Sequence, residues 1–156
     1  MTFADTRTPA LEFNNASFTY GGPPVLTGVT GTLYPGEALA LIGGLSKPSK
    51  MPWWSWSISA QDCITGGKLR EIEGSTCSSC YALKGNYVFP NVKAAHVRRR
   101  EALDNPRFVE AFTIVLERLA KNSRRPADFR WFDAGDLPDF ETLQKICEIA
   151  EATPQV

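Results

Sequence analysis

Apolar and polar residues alternate over residues 11–43, and turn signals interrupt the alternation at two places. The turns are Gly21-Gly22-Pro23-Pro24 and Pro35-Gly36, which are typical of connections between strands. The segments around them predict three short strands, LEFNNASF, VLTGVTGTLY and EALALIG. The third is apolar enough to be buried on both faces of a sheet. We therefore expect a short β-rich N-terminal segment.

The pattern changes near Leu45. A stretch from Ser46 to Pro52 has the composition of a linker, and a Trp-rich strand is predicted from Trp53 to Ile58. A domain boundary near residue 45 would divide the chain into segments 1–44 and 45–156.

The second segment alternates strands with helices. Asn105-Pro106 predicts a helix start, with Asn as the cap and Pro at the first helical position. Residues 128–133 predict a strand and residues 139–152 a helix, which gives the βαβα order of a parallel sheet. A complete α/β barrel takes about 250 residues. We therefore expect an α/β fold that is a partial, half-barrel-like unit with exposed sheet edges.

Composition narrows the classes of function. The chain has 156 residues and is 43% hydrophobic, which suits about one domain, and its 17 basic and 17 acidic residues balance. A neutral chain gives no electrostatic support for binding nucleic acid or an anionic membrane. The N-terminal residues show neither a signal peptide nor a membrane span, so we expect a cytoplasmic protein with reduced cysteines. The partner is unknown, although pairing with a second copy through exposed sheet edges is expected.

Three of the four cysteines form a C-x13-C-x2-C pattern, Cys63, Cys77 and Cys80, in a glycine-containing loop after the Trp-rich strand. Three thiolates from one loop can converge on a metal centre. Three interpretations stay open: an iron–sulfur cluster, a structural zinc with His96 or Cys147 as the fourth ligand, and unligated reduced thiols.

Other chemistry-bearing residues have structural interpretations. His96 is expected to be partly buried, and Cys147 to lie on the core face of the last helix. Asp133 and Asp136 flank a strand end, where they could serve a functional site or cap a helix. The arginine runs at 98–100 and 124–125 are expected on solvated helix faces and ends.

Phe18-Thr19-Tyr20 and Pro35-Gly36-Glu37 followed by LALIG resemble the opening of the ATP-binding domain of ABC transporters. The resemblance implies that Tyr20 stacks on adenine and that a phosphate loop follows. That loop requires G-x-x-x-x-G-K-[ST]. In the run from Gly43 to Lys50, Pro48 replaces the second glycine and Ser49-Lys50 reverses the required order. The sequence therefore predicts that nucleotide hydrolysis is absent.

The segments KPSKMPWWSWSISAQDC, GSTCSSCYALKGNYVFPNV and FRWFDAGDLPDFETLQKICEIAEATPQV resemble the phage "gene product 88" family, from about Leu45 to the C-terminus. Their order is similar to the first two βα units of radical S-adenosylmethionine enzymes. That similarity implies a 4Fe-4S cluster held by Cys63, Cys77 and Cys80, with S-adenosylmethionine on the fourth iron and reductive cleavage to a carbon-centred radical.

The same resemblance assigns roles to three further residues. Tyr81 would pack beside the cluster, and Gly135-Asp136 would stand in for the Gly-Glu pair that helps bind the amino group of the cofactor. The chain departs from the enzyme pattern in its long first cysteine gap, and in Ala134 and Asp136, which replace a glycine and a glutamate.

Overall fold

The computed structural model describes residues 11–18, 26–33, 35–122 and 128–156. The chain divides between Ala38 and Leu39 into two compact units. The boundary predicted near residue 45 stays a prediction. The strands and helices, in chain order, are β1 (Leu11–Phe18), β2 (Leu26–Leu33), α1 (Pro35–Leu41), β3 (Trp54–Trp56), α2 (Ile64–Leu69), α3 (Pro90–Ala102), α4 (Phe108–Asn122), β4 (Phe129–Trp131) and α5 (Phe140–Ala152). Two short 3₁₀ helices, Tyr81–Leu83 and Gly85–Val88, precede α3.

Two of the three predicted N-terminal strands are strands, and the third is a helix. β1 and β2 pair antiparallel, with Leu11 opposite Leu33. The prediction of a strand over EALALIG is wrong, because α1 covers most of that segment. Pro35 is favoured at the first position of a helix, Glu37 complements the dipole of the first turn, and the alternating Ala and Leu residues that follow are strong helix formers. The described part of the chain therefore does not contain the predicted three-stranded segment.

Gly43 and Gly44 form the turn that ends α1. The N–H groups of Gly43 and Gly44 donate to the carbonyls of Ala40 and Leu39. A Cβ on Gly43 would stand 2.7 Å from the Cα of Arg99, so α3 packs directly on this turn. A phosphate loop instead places its glycines ahead of a helix N-terminus. Tyr20, the residue expected to stack on adenine, lies outside the described residues.

The second unit has the predicted mixed α/β character. β3 and β4 pair in parallel, with Trp54 opposite Phe129 and Trp56 opposite Trp131. Helices α2, α3 and α4 lie between these strands in sequence, and α5 follows β4. The structure therefore confirms a parallel strand pair in an α/β arrangement. The half-barrel and its pairing with a second copy stay predictions.

An aromatic cluster forms the core beside β3. Trp56 is fully buried, and its indole N–H donates to the carbonyl of Ile42 at 2.7 Å. Its ring meets Phe108, Phe112 and Trp131 edge to face, at centroid distances of 5.6, 6.0 and 5.8 Å. Large aromatic side chains dominate core energetics, so this cluster fixes α4 against the sheet.

The predicted helix starts differ slightly from the observed ones. Asn105 accepts a hydrogen bond from the N–H of Arg107 at 2.9 Å in a turn, and α4 begins at Phe108. The helix predicted over residues 139–152 begins at Phe140, and Asp139 caps it by accepting a bond of 2.7 Å from the N–H of Thr142. Among the described helices, none has the length and apolar character needed to cross a membrane.

The buried side of α5 differs from the predicted one. Thr142 and Ile149 are buried, whereas Cys147 is exposed. Cys147 lies well round the helix from these two residues at 100° per residue. The prediction that Cys147 is buried is therefore wrong.

Candidate functional site

The carboxyl ends of β3 and β4 are joined by a buried hydrogen bond. The hydroxyl of Ser57 donates to Oδ1 of Asp133 at 2.6 Å, and both residues are buried. Each residue follows its strand closely, and the parallel pairing brings the two strand ends together. Crevices outside the carboxyl ends of parallel strands are where α/β proteins bind ligands.

The chain after β4 has an uncommon backbone conformation. Phe132 has a φ of 53°, which is rare for a bulky residue. Gly135 has a φ of 69°, and a Cβ there would stand 2.9 Å from the carbonyl oxygen of Ile58. The turn that carries Asp133 is thus pressed against the chain after β3. The structure gives Gly135 this packing role, and its contact with a cofactor stays a prediction.

Two tyrosines that follow the cysteine loop, residues 63–80, reach this turn. The hydroxyl of Tyr81 donates to the main-chain carbonyl of Asp133 at 2.6 Å, and that of Tyr87 lies 3.3 Å from Oδ2 of the same residue. Burial and the neighbouring Asp133 carboxylate raise the pKa of Tyr87 to about 12. Tyr87 therefore stays protonated at neutral pH and can donate to the carboxylate.

His96 packs against Tyr87. It is buried, and its ring stacks on Tyr87 with a centroid distance of 6.2 Å and an interplanar angle of 20°. Burial, and then the nearby Arg99 guanidinium, lower the pKa of His96 below its usual 6.5, so the imidazole is neutral at pH 7. The expectation of a buried histidine is confirmed.

Arg99 is buried, which contradicts the expectation that the whole run 98–100 is solvated. Its guanidinium donates to the carbonyl of Gly44 at 3.0 Å and to the hydroxyl of Ser46 at 2.8 Å, and burial lowers its pKa. The sequence held a signal for this burial, since Arg99 lies three residues after His96 on the same helical side. Arg124 and Arg125 lie outside the described residues.

Cys63 and Cys77 meet at one glycine. Cys63 precedes α2, and its sulfur accepts a hydrogen bond from the N–H of Gly66 at 3.3 Å. A Cβ on the buried Gly66 would stand 2.7 Å from Sγ of Cys63 and 3.6 Å from Sγ of Cys77. The structure thus brings these two sulfurs next to a common point, although thirteen residues separate them in sequence.

Cys80 lies one turn further along the chain. Its N–H donates to the carbonyl of Cys77 at 3.2 Å, and its side chain packs against a cluster of Ala60, Ala82 and Ala134. All three thiols are partly exposed. Over residues 11–18, 26–33, 35–122 and 128–156, no three His, Cys, Asp or Glu side chains are already arranged as a metal site. Ligation of a metal by these cysteines stays a prediction.

Comparison with known protein families gives a match over most of the chain. The family model described as Gene product 88 matches residues 31–156. The chain belongs to the Gene product 88 family. The resemblance expected from residue 45 onward is confirmed, and the match begins further upstream. No curated protein and no solved structure matches. The resemblances to ABC transporters and to radical S-adenosylmethionine enzymes stay predictions.

This Gene product 88 chain also places a half-buried arginine, Arg70, shortly after Cys63 and α2. Nη2 of Arg70 donates to the carbonyl of Ala60 at 3.1 Å, and the N–H of Arg70 donates to the carbonyl of Gly66. Its Nε is buried with no partner in the described part of the chain. Unsatisfied buried donors are uncommon and call for an explanation. A cluster ligated by three thiolates carries negative charge overall, and such a group suits this donor.

The Asp136 carboxylate is part of a local turn. Asp136 is exposed, and its Oδ1 accepts a hydrogen bond from the N–H of Leu137 at 2.8 Å. Its role in binding a cofactor amino group stays a prediction. Asp133, which the sequence treats equally with Asp136, is the carboxylate that the structure places between the strand ends.

Proposed function

We propose that this Gene product 88 protein holds an iron–sulfur cluster through Cys63, Cys77 and Cys80. The observation that carries the proposal is the position of the Cys63 and Cys77 sulfurs, which lie next to the same buried glycine. If S-adenosylmethionine also bound, such a cluster would supply the electron for reductive cleavage of the cofactor.

The donor set and its surroundings fit an anionic metal centre. Thiolates are the ligands of iron–sulfur clusters, and the absence of a Cβ at Gly66 lets two of them approach the same point of α2. Cys80 lies one turn from Cys77, and its side chain would have to leave its packing on Ala60, Ala82 and Ala134 to join the other two. The unpartnered Nε of Arg70 offers a donor to the negative charge of the centre.

The neighbouring residues would position the centre. Tyr81 directly follows Cys80 and is bonded to the carbonyl of Asp133, which fixes the cysteine loop to the end of β4. Gly135 holds the turn after β4 against the chain after β3. For Asp136 to bind an amino group, its carboxylate would share or exchange the bond it now accepts from Leu137.

Metal and sulfide analysis of protein purified without oxygen tests the proposal. After reconstitution with iron and sulfide, we expect brown protein with iron, sulfide and charge-transfer absorption. The substitutions C63A, C77A and C80A should each remove most of this absorption, whereas C147A should leave it unchanged because Cys147 is exposed on α5.

Two results would contradict the cluster. Colourless protein with one zinc per chain would favour a structural zinc, with His96 or Cys147 as the fourth ligand to be tested by substitution. Protein that takes up neither metal would show that the thiols are unligated. Saturable binding of S-adenosylmethionine that appears only after cluster loading would support the second part of the proposal.

A further inference from the structure

We infer that Cys63 and Cys77 form a reversible disulfide in the metal-free protein, and that this bond controls loading of the cysteine site. The bond itself requires no metal. Its regulatory consequence rests on the proposed function, because the disulfide would occupy two of the three proposed ligands.

The geometry favours this pair. The two sulfurs lie 2.7 and 3.6 Å from the position that a Cβ of Gly66 would occupy, and Gly66 has no side chain to separate them. A disulfide requires Cβ atoms about 3.5–4.5 Å apart. Because both sulfurs lie beside the same glycine, the two cysteines start as neighbours and would have to close to that separation. The intervening segment contains exposed turns around Ser75 and Ser78, which can accommodate that movement.

Cys80 is held in different surroundings. Its side chain packs on Ala60, Ala82 and Ala134, and the next residue is anchored to Asp133 through the Tyr81 hydroxyl. A bond between Cys77 and Cys80 would draw Cys80 away from this packing. The C-x-x-C spacing by itself would favour that pair, and the structure instead favours the pair that spans the loop.

A small-molecule disulfide such as oxidised glutathione can drive the reaction. The thiolate of one cysteine attacks a sulfur of oxidised glutathione, forms a mixed disulfide and releases one glutathione thiolate. The second cysteine then attacks the mixed disulfide and releases the other glutathione. The protein loses two thiol protons and two electrons, and two molecules of reduced glutathione form. Excess reduced glutathione reverses both steps.

Peptide mapping tests the pairing directly. The full chain is freed of metal with a chelator, treated with oxidised glutathione, and digested with trypsin without reduction. Cleavage after Lys and Arg gives residues 51–68 with Cys63, and residues 71–84 with both Cys77 and Cys80. A bond between Cys63 and Cys77 links these peptides, whereas a bond between Cys77 and Cys80 stays within the second one.

Single substitutions distinguish a bond between Cys63 and Cys77 from one between Cys63 and Cys80, which would link the same two peptides. We expect the linked peptides in the wild-type chain, in C80A and in C147A, and we expect their loss in C77A and C63A. A disulfide confined to residues 71–84, free thiols after oxidation, or linked peptides that persist in C77A would each overturn the inference.

The regulatory step has its own measurement. Protein oxidised in advance should take up almost no iron, and uptake should recover after reduction with dithiothreitol. If no metal binds to reduced protein but the linked peptides form, the proposed function fails and the disulfide stands. If a cluster assembles equally well in oxidised protein, the regulatory part of this inference fails while the cluster stands.

Discussion

The hydroxyl of Tyr81 donates a hydrogen bond of 2.6 Å to the main-chain carbonyl of Asp133, and this bond joins the cysteine loop to the end of β4. The side chain of Tyr81 is 62% exposed, so burial contributes little to its position. The placement of Cys80, its neighbour in sequence, therefore depends on a polar contact with a residue that lies 52 positions after Tyr81 in the sequence.

Substitution of Tyr81 by phenylalanine should loosen this loop. Y81F removes one hydrogen bond and leaves the ring, so we expect the free energy of unfolding to fall by about 0.5–1.5 kcal/mol. Amide hydrogen exchange around Cys77 and Cys80 should become faster. S79A, an exposed neighbour in the same loop, is the control. Unchanged exchange in Y81F would show that the bond does not position the loop.

Substitution of Gly135 by alanine tests the close approach between the chain segments that follow β3 and β4. Alanine at this position would carry a φ of 69° and a Cβ 2.9 Å from the carbonyl oxygen of Ile58. G74A is the matched control, because Gly74 has a φ of 77° with nothing within 4 Å of its Cβ position. The left-handed conformation costs both variants about 1–2 kcal/mol. We expect G135A to lose clearly more stability than G74A in urea unfolding, and equal losses would contradict the packing role.

The elements of the second unit could largely be predicted from local signals. The helix start predicted at Asn105-Pro106 lies two residues ahead of the observed start of α4, and the helix predicted over residues 139–152 nearly matches α5. The strand predicted over EALALIG failed because a short apolar run suits a buried strand and a helix equally well. The prediction of the buried side of α5 failed because that side is determined by packing against other elements.

The candidate site could be predicted only in part. The cysteine pattern is visible in the sequence, and it led to the residues that meet at Gly66. The bond between Ser57 and Asp133 joins residues 76 positions apart, and the bond between Tyr81 and Asp133 joins residues 52 positions apart. Such contacts depend on the parallel register of β3 and β4, which no local pattern contains.

The lowered pKa of His96 should make the stability of the fold depend on pH. Burial and Arg99 lower the pKa of His96 below 6.5 in the folded state, whereas the unfolded chain has the usual value. The unfolded state therefore binds a proton more readily, and stability should be lost as the pH falls from 6.5 toward the lower folded-state pKa.

Nuclear magnetic resonance can follow this group without ambiguity, because the chain has one histidine. We expect its ring resonance to titrate below pH 6.5. H96F keeps a ring against Tyr87 but cannot titrate, so its stability should depend less on pH in this window. A titration midpoint at or above 6.5 would contradict the lowered pKa.

Tyr87 should make the free energy of unfolding depend on pH at the alkaline end of the range. Its pKa is raised from 10.0 to about 12, chiefly by burial and then by the Asp133 carboxylate. The folded state thus holds the proton more tightly, and the stability it contributes is complete below pH 10 and is lost as the pH rises toward 12. Unfolding experiments across this window should show a steeper fall in the wild-type chain than in Y87F. Ultraviolet absorbance of tyrosinate should show one late-titrating group that Y87F lacks.

Gly66 and Gly67 are a matched pair for the cysteine site. Both lie in α2, and alanine suits a helix at either position. A Cβ at Gly66 would stand 2.7 Å from Sγ of Cys63 and 3.6 Å from Sγ of Cys77, whereas a Cβ at Gly67 has nothing within 4 Å. G66A should therefore displace the Cys63 side chain and place a methyl group in contact with the Cys77 sulfur. We expect G66A to keep its circular dichroism spectrum but to lose iron uptake and the disulfide-linked peptides, while G67A retains both. Equal iron uptake in the two variants would show that the sulfurs bind metal elsewhere than beside Gly66.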